Sequence, residues 1–327
     1  MSPPTAPSSI LLLGKGELGT AILSYLTSHS TYSPTSTKIT ILCRTPPTPS
    51  SLPDGVSYTL SDITSTPLDE LITIFNDHTT IIQASGFGFP PGTHLKIAEA
   101  ALAAPNVSHF IPWQFGVDYD VIGKGGAHGE LFGEFLEVRA LLRDGPKLNR
   151  TSKLRWNVIS SGLFMSFLFG VKEFGAVEFG EEVTTVRGLG GWGNKVTLTD
   201  VDGIGRMVTE VVFSNESTTI KGGEEGDGVV YIGGETVTYE EVADVLEGVL
   251  REKNTGIKLK REELGLDEIR DRLAKEPDDR MFKYQGVFGE GVGVWWEKER
   301  MLNYRLGIPL KGVREWLVEN IDGLLKH

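Results

Sequence analysis

Among 327 residues there is one cysteine, Cys43, so no disulfide can close within the chain and no thiolate cluster can bind a metal. The six histidines show no ligand spacing either, and no metal is expected. Positive charge is in short supply. Thirty-two Lys and Arg face 44 Asp and Glu, a net charge of −12. Such a surface repels phosphate backbones, which argues against a nucleic-acid partner. Long apolar runs are missing too. The longest, "GLFMSFLFGV" at 162–171, is about half of the roughly 20 residues a membrane-spanning helix needs. The stretch "MSPPTAPSS" (1–9) has neither the basic region nor the apolar core of a secretory signal. The reading is a cytoplasmic protein with no membrane partner. No repeat of 20–50 residues is evident.

What is present is ordinary globular composition with an ordered pattern, 39% hydrophobic and 23% charged. Strands are expected at 9–14, 38–44, 56–61, 79–85, 108–113 and 155–161. Helical patterns lie between them at 17–28, 67–77, 93–104 and 128–143. Runs of Ile, Val and Leu without strict alternation suit parallel strands buried on both faces. The alternation of strand and helix argues for a doubly wound α/β sheet, with the loops after the strands lining one crevice. Beyond residue 162 the pattern changes. A glycine-rich hairpin or loop and a short strand lead to a helix capped near Asp200 or Asp202. A strand at 228–234, an amphipathic helix from 238, a charged helix over 260–280 and a final amphipathic helix complete the chain.

The first strand runs into "GKGELG", and a helix follows. Gly14, Gly16 and Gly19 fit G-x-G-x-x-G in the context that gives the pattern meaning. The first glycine allows the tight turn, the second lets backbone approach a pyrophosphate, and the third lets helix pack on strand. Lys15, Glu17 and Leu18 complete the turn, whose N–H groups would face the phosphates. The second strand ends in Arg44, where an NAD site carries an acid for the ribose 2′-OH. A guanidinium there suits a 2′-phosphate, so the expected cofactor is NADP(H), with Thr45 adding a hydroxyl. Asp62 after strand three borders the adenine or merely makes a turn. Ser85, Gly86 and Phe87 after strand four are placed against the middle of the cofactor.

The segment "HFIPWQFGVDYD" (109–120) resembles F-x-P-S-E-F-G-x-D of the NmrA-like, isoflavone-reductase-like branch of atypical short-chain dehydrogenases. "LCR" at strand two, "THLKIAEAAL" (93–102), "EVRALLR" (137–143), "ISSGLF" (159–164) and "VTLTDVDGIGRMV" (196–208) agree in order. The resemblance covers about residues 8–250. It implies a Rossmann-type sheet, a smaller C-terminal α+β substrate domain, and NADPH-dependent reduction of aromatic compounds. The expected division is 1–162 for the NADP(H)-binding domain and 163–327 for the substrate domain, with the strand near 229–233 as an optional return to the main sheet. Pro112, Trp113, Gln114, Ser161 and Gly162 then belong to the cofactor site.

The departures from the family pattern concern the chemistry. Ser and Glu of P-S-E-F-G become Trp113 and Gln114. The lysine of F-D-E-K-x-x-x-R becomes Phe135, while its arginine survives as Arg139. No tyrosine has a lysine four residues on, so the other usual proton donor is also missing. Replacement donors are Lys124, His128 and Tyr119, each with a surface or core role as the alternative. Ser160 and Ser161 could polarise a carbonyl. Phe135 is either core or the wall of an aromatic pocket. Phe115, Phe164, Met165, Phe167 and Trp192, with Trp295 and Trp296, offer surface for a flat apolar substrate. Three functions are open: a reductase of an aromatic carbonyl or enone, a non-catalytic NADP(H) sensor, and a non-redox enzyme on the same fold. The partner is a small aromatic molecule, and the assembly a monomer or homodimer.

Overall fold

The computed structural model describes residues 7–46, 52–125, 129–145, 154–214 and 228–326. The chain divides into two compact units that interleave in sequence. The first comprises Met1–Phe115, Glu134–Ile159 and Ile204–Val230, and the second Gly116–Gly133, Ser160–Gly203 and Tyr231–His327.

The first unit is built on six parallel strands. These are β1 (Ser9–Leu13), β2 (Lys38–Cys43), β3 (Val56–Leu60), β4 (Thr80–Gln83), β5 (His109–Ile111) and β6 (Arg155–Trp156), in the order β3-β2-β1-β4-β5-β6. The order reverses beside β1, where Ile10 pairs with Ile39 on one side and Thr80 on the other. Ile10, Leu11 and Leu12 have no exposed surface, as the unalternating apolar runs require for a sheet covered on both faces. Leu11 and Leu13 point into one cluster with Phe75, Ile97, Ala98, Ala101, Phe110, Val138 and Leu142. Helices α2 (Leu68–Asn76), α3 (Thr93–Ala103) and Gly133–Asp144 supply that cluster. Burying a ring such as Phe75 contributes about 2–3 kcal/mol. Ile10 and Leu12 face the other way. Helix α1 (Glu17–Ser28) lies against the helix that ends at Phe213, and a Cβ on Gly205 would meet the Ala21 backbone at 2.8 Å.

One buried polar group ties β5 to β6. Arg155 donates to Nδ1 of His109 at 2.9 Å, and Nε2 of His109 lies 2.9 Å from Oδ1 of Asn157. Arginine is only a donor, so the imidazole is neutral with its proton on Nε2. Burial and the adjacent Arg155 charge push the His109 pKa down to about 3.

The second unit holds two three-stranded sheets. Val183–Leu189 pairs in parallel with Lys258–Leu264 and antiparallel with Val177–Glu178. Lys195–Thr199 pairs antiparallel with Glu235–Thr238 and in parallel with Leu163–Phe164. The glycine-rich stretch 188–194 is therefore a connection between two sheets and not a hairpin. The charged helix expected over 260–280 is shorter and begins later. Lys258–Leu264 is a strand carrying charges on both faces, and the helix is Leu266–Lys275. Val229–Tyr231 pairs with Val158–Ser160 as a two-stranded ladder separate from the six-stranded sheet. Helix Tyr239–Glu252 starts at a capping box, with Glu241 N–H donating to Thr238 Oγ1 at 3.1 Å and Thr238 N–H to Glu241 Oε2 at 2.7 Å. Asp200 accepts from Gly203 N–H at 3.1 Å and caps the helix that follows. No helix among the described residues is long and apolar enough to cross a membrane.

Candidate functional site

In the first unit, the ends of β1, β2, β3 and β4 open into a groove of about 680 Å³. Gly14, Lys15, Gly16, Arg44, Thr45, Asp62, Ser85 and Phe87 line it. Its floor is set by what a side chain would strike. Gly14 has φ +100°, and a Cβ there would lie 2.5 Å from that of Ser85. A Cβ on Gly19 would run into the Gly14 carbonyl, so α1 packs on the turn only with glycine there. Gly16 has nothing within 4 Å of its Cβ position. That open face borders the groove, at the N-terminus of α1, which no side chain caps. Tight turn, open approach and close packing are what a pyrophosphate cradle demands of its three glycines, so the residues present fit a dinucleotide.

Charge follows the glycines. Lys15 donates to the Pro46 carbonyl at 3.0 Å, which keeps its ammonium on the β2 side of the groove. Arg44 is exposed at the end of β2. Asp62 accepts at Oδ1 from Thr64 Oγ1 at 2.7 Å and Thr64 N–H at 3.0 Å. These bonds, with Arg44 and Lys96 nearby, hold its carboxyl below the usual range. Asp62 therefore makes the turn and lines the groove as well. Lys96 pins the same turn through the Thr64 and Thr66 carbonyls at 3.1 and 2.8 Å. Phe87 is 52% exposed at the rim.

Glu17 is exposed in the first turn of α1, and Leu18 is buried beneath it. Gly86 borders the rings of Trp113 and His94. Pro112 is buried and accepts from Gln114 N–H at 2.8 Å. In the second unit Ser161 and Gly162 follow Ser160. Gly162 has φ +72° and donates to the Gly116 carbonyl at 3.0 Å. Ser161 is fully buried, and its Oγ has no partner among the described residues. Tyr119 is buried edge-on to Phe132, with ring centroids 4.9 Å apart. The Lys124 side chain is 70% exposed and pairs with Glu130 at 3.5 Å. His128 lies outside the described residues. Met165 is fully buried, whereas Phe164, Phe167 and Trp192 are partly buried. Phe167 packs against Phe174 and Tyr284 at 5.2 and 5.9 Å. Trp296 is buried and donates to the Ile232 carbonyl at 3.0 Å, and Trp295 donates to that of Gly291 at 2.9 Å. Among the described residues no group of three or more His, Cys, Asp or Glu is arranged to hold a metal ion.

No model of a known protein family matches the chain. An NmrA-like family domain-containing oxidoreductase of Gibberella moniliformis is 35% identical over 320 residues, covering 94% of this chain and 97% of that protein. The chain belongs to the NmrA-like, isoflavone-reductase-like oxidoreductase family. Solved structures agree in fold along almost the whole length. The NADPH-dependent quinone oxidoreductase QOR2 of Escherichia coli, complexed with NADPH, superposes with a TM-score of 0.67 at 17% identity, covering 95% of this chain and 99% of that one. The leucoanthocyanidin reductase–NADPH complex of Vitis vinifera gives 0.66 at 16%, covering 96% and 99%. At these identities the likeness is one of fold.

Against the NmrA-like pattern, the three departures of this chain share one packed layer. Phe135 is buried, and its ring stands edge-on to His94 at 5.0 Å. Gln114 Nε2 donates to the Phe135 carbonyl at 3.0 Å, and Gln114 Oε1 accepts from Arg139 Nε at 2.8 Å. Trp113 lies against Gly86 beside His94. Sequence reasoning passed over His94 and its partner Gln83. The available signal was a buried-strand end, Ile81-Ile82 followed by the polar amide of Gln83.

Proposed function

We propose that this chain is an NADP(H)-dependent reductase of a flat aromatic carbonyl or enone. The observation that carries the reading is one groove in which the glycine turn, with Gly14 and Gly19 sterically required and Gly16 open to approach, meets two cations, Lys15 and Arg44. The oxidoreductase name of the Gibberella relative and the NADPH in the E. coli structure support it. Gly14, Gly16 and Gly19 with the N–H groups of Glu17 and Leu18 would hold the pyrophosphate. Arg44, Lys15 and Thr45 would take the 2′-phosphate, and Asp62 would border the adenine. Ser85, Gly86, Phe87, Pro112, Trp113, Gln114, Ser161 and Gly162 would meet the rest of the cofactor. Bound NADPH supplies a hydride.

The chain's own residues would exclude water, orient the substrate and handle the proton. Phe115, Phe135, Phe164, Met165, Phe167 and Trp192 are the apolar surface proposed for an aromatic ligand. A Ser160 or Ser161 hydroxyl would polarise the oxygen, and Tyr119, Lys124 and His128 are the proton donors proposed. Residues 1–162 carry the cofactor and 163–327 the substrate in this reading, in a cytoplasmic monomer or homodimer.

A second reading is a sensor that binds NADP(H) without turnover. Phe135, packed on His94 where the family carries its lysine, favours it. A third, non-redox chemistry on the same fold, rests on no specific observation. Titration calorimetry with NADPH, NADP+, NADH and NAD+ tests the cofactor. Equal affinity for the phosphorylated and unphosphorylated forms overturns it. Loss of absorbance at 340 nm with aryl aldehydes, ketones or enones tests turnover. Tight NADPH binding with no turnover across that panel supports the sensor.

A further inference from the structure

The loops after β4 and β5 are joined by a buried polar lock. Trp113 N–H donates to Gln83 Oε1 at 3.2 Å, while Gln83 Nε2 reaches the Ser85 carbonyl at 3.2 Å and His94 Nδ1 at 3.0 Å. With Oε1 taken by a donor, the amide orientation follows, and His94 accepts at Nδ1. Gln83 and His94 are both buried. A Cβ on Gly86 would lie 2.5 Å from His94 Cε1 and 2.5 Å from Trp113 Cδ1. Gly86 therefore lets both rings close on the backbone after β4. Trp113 stays partly buried, braced at its edge by Phe115 with centroids 5.9 Å apart.

The strand order gives this wall its ligand. In a sheet ordered β3-β2-β1-β4-β5-β6 a dinucleotide crosses the carboxyl ends of the strands at the reversal beside β1. Its 2′-substituted ribose would then lie toward the end of β2, where Arg44 is, and its other half toward the ends of β4 and β5, where Gly86 and Trp113 are.

We infer that Trp113 is an aromatic wall for the nicotinamide half of NADP(H), and that His94, acting through Gln83, is the positioning residue that sets it. The inference rests on the cofactor reading above and deepens it. It accounts for the joint replacement of the family's Ser, Glu and Lys. Where the family carries Ser, Glu and Lys, this chain has the uncharged side chains of Trp113, Gln114 and Phe135, with Phe135 packed on His94 and Trp113 closing on Gly86 beside it.

The test compares two ligands by calorimetry on the full chain: NADPH, and adenosine 2′,5′-bisphosphate, which lacks the nicotinamide half. Trp113→Ala should weaken NADPH about three- to tenfold, the size of one aromatic contact, and leave the bisphosphate unchanged. His94→Leu should give the same split, and His94→Asn, which keeps a side-chain acceptor, should restore part of it. Trp113→Phe should keep the fold and most of the NADPH affinity, yet reduce the energy transfer from tryptophan to bound reduced nicotinamide relative to the wild type, with the other tryptophans giving the remainder. Equal weakening of both ligands, or of neither, overturns the inference and leaves the cofactor reading intact. A wild-type chain that binds neither ligand overturns both.

Discussion

The ring of Phe135 stands at 65° to that of His94, with centroids 5.0 Å apart inside the first unit. A lysine introduced at this position would put an ammonium among Phe135's present neighbours, away from bulk water. Phe135→Lys should therefore destabilise the protein by about 3 kcal/mol or more in guanidinium unfolding, through lost packing and an ill-paired buried charge. Unchanged stability would mean that the ammonium escapes to solvent and that the packing around Phe135 is loose.

The glycine turn separates folding from binding. Gly19→Ala should cost about 2 kcal/mol or more, because its methyl strikes the Gly14 carbonyl. Gly16→Ala has free space and an ordinary φ of −68°, so stability should fall by no more than about 1 kcal/mol, while NADPH binding drops sharply. Thermal unfolding and calorimetry on the two variants check this. Undiminished binding by Gly16→Ala would remove the pyrophosphate from that spot.

Arg44→Ala should weaken NADPH about tenfold or more and NADH hardly at all, the loss of a charge-assisted contact to one phosphate. An equal effect on both cofactors would place the 2′-phosphate elsewhere.

His109 makes stability depend on pH. Its native pKa is about 3, against about 6.5 in an unfolded chain, so the unfolded state binds the extra proton between those values. Stability is then flat above pH 6.5 with respect to this group and falls as pH drops toward 3. From pH 6.5 to 5.0 the loss should be about 2 kcal/mol at 1.36 kcal/mol per unit. Urea unfolding at the two pH values should show it in the wild type and less in His109→Gln. Identical slopes would rule out His109 as the source.

Asp118 is almost fully buried in the second unit. Its Oδ2 accepts from Tyr231 O–H at 2.7 Å and from Arg300 at 3.3 Å. Arg300 also lies over the Tyr231 ring, 3.7 Å from its centroid. Tyr231→Phe leaves the carboxylate one donor short, and the expected cost is about 1–3 kcal/mol in denaturant unfolding. A cost near zero would show that water or Arg300 alone satisfies the group.

The parallel sheet was legible in the chain because local signals agreed with the tertiary outcome. The apolar runs at β1, β2 and β4 need two covered faces, and α1 begins at Glu17 directly after a glycine turn. The stretch 260–280 misled because charge was read as a helix surface. Lys258–Leu264 carries its charges along a strand whose partner, Val183–Leu189, is 75 residues away in register. Backbone pairing over that separation leaves no local trace. For the glycine-rich stretch at 188–194 the sequence left hairpin or loop open, and the structure makes it a loop because its flanking strands find different partners.

By itself the amino-acid order determined the strand–helix alternation, the glycine turn and the basic residue at the end of β2. Each depends on neighbours a few residues apart, through backbone conformation and periodic burial. Only the tertiary structure decided that Gln83, His94, Trp113 and Phe135 form one layer, that Asp62 spends its carboxylate on Thr64, and that Lys124 faces solvent. Those outcomes follow from which segments the parallel crossovers bring side by side. A side chain's hydrogen-bond partners and desolvation exist only once its distant neighbours have arrived.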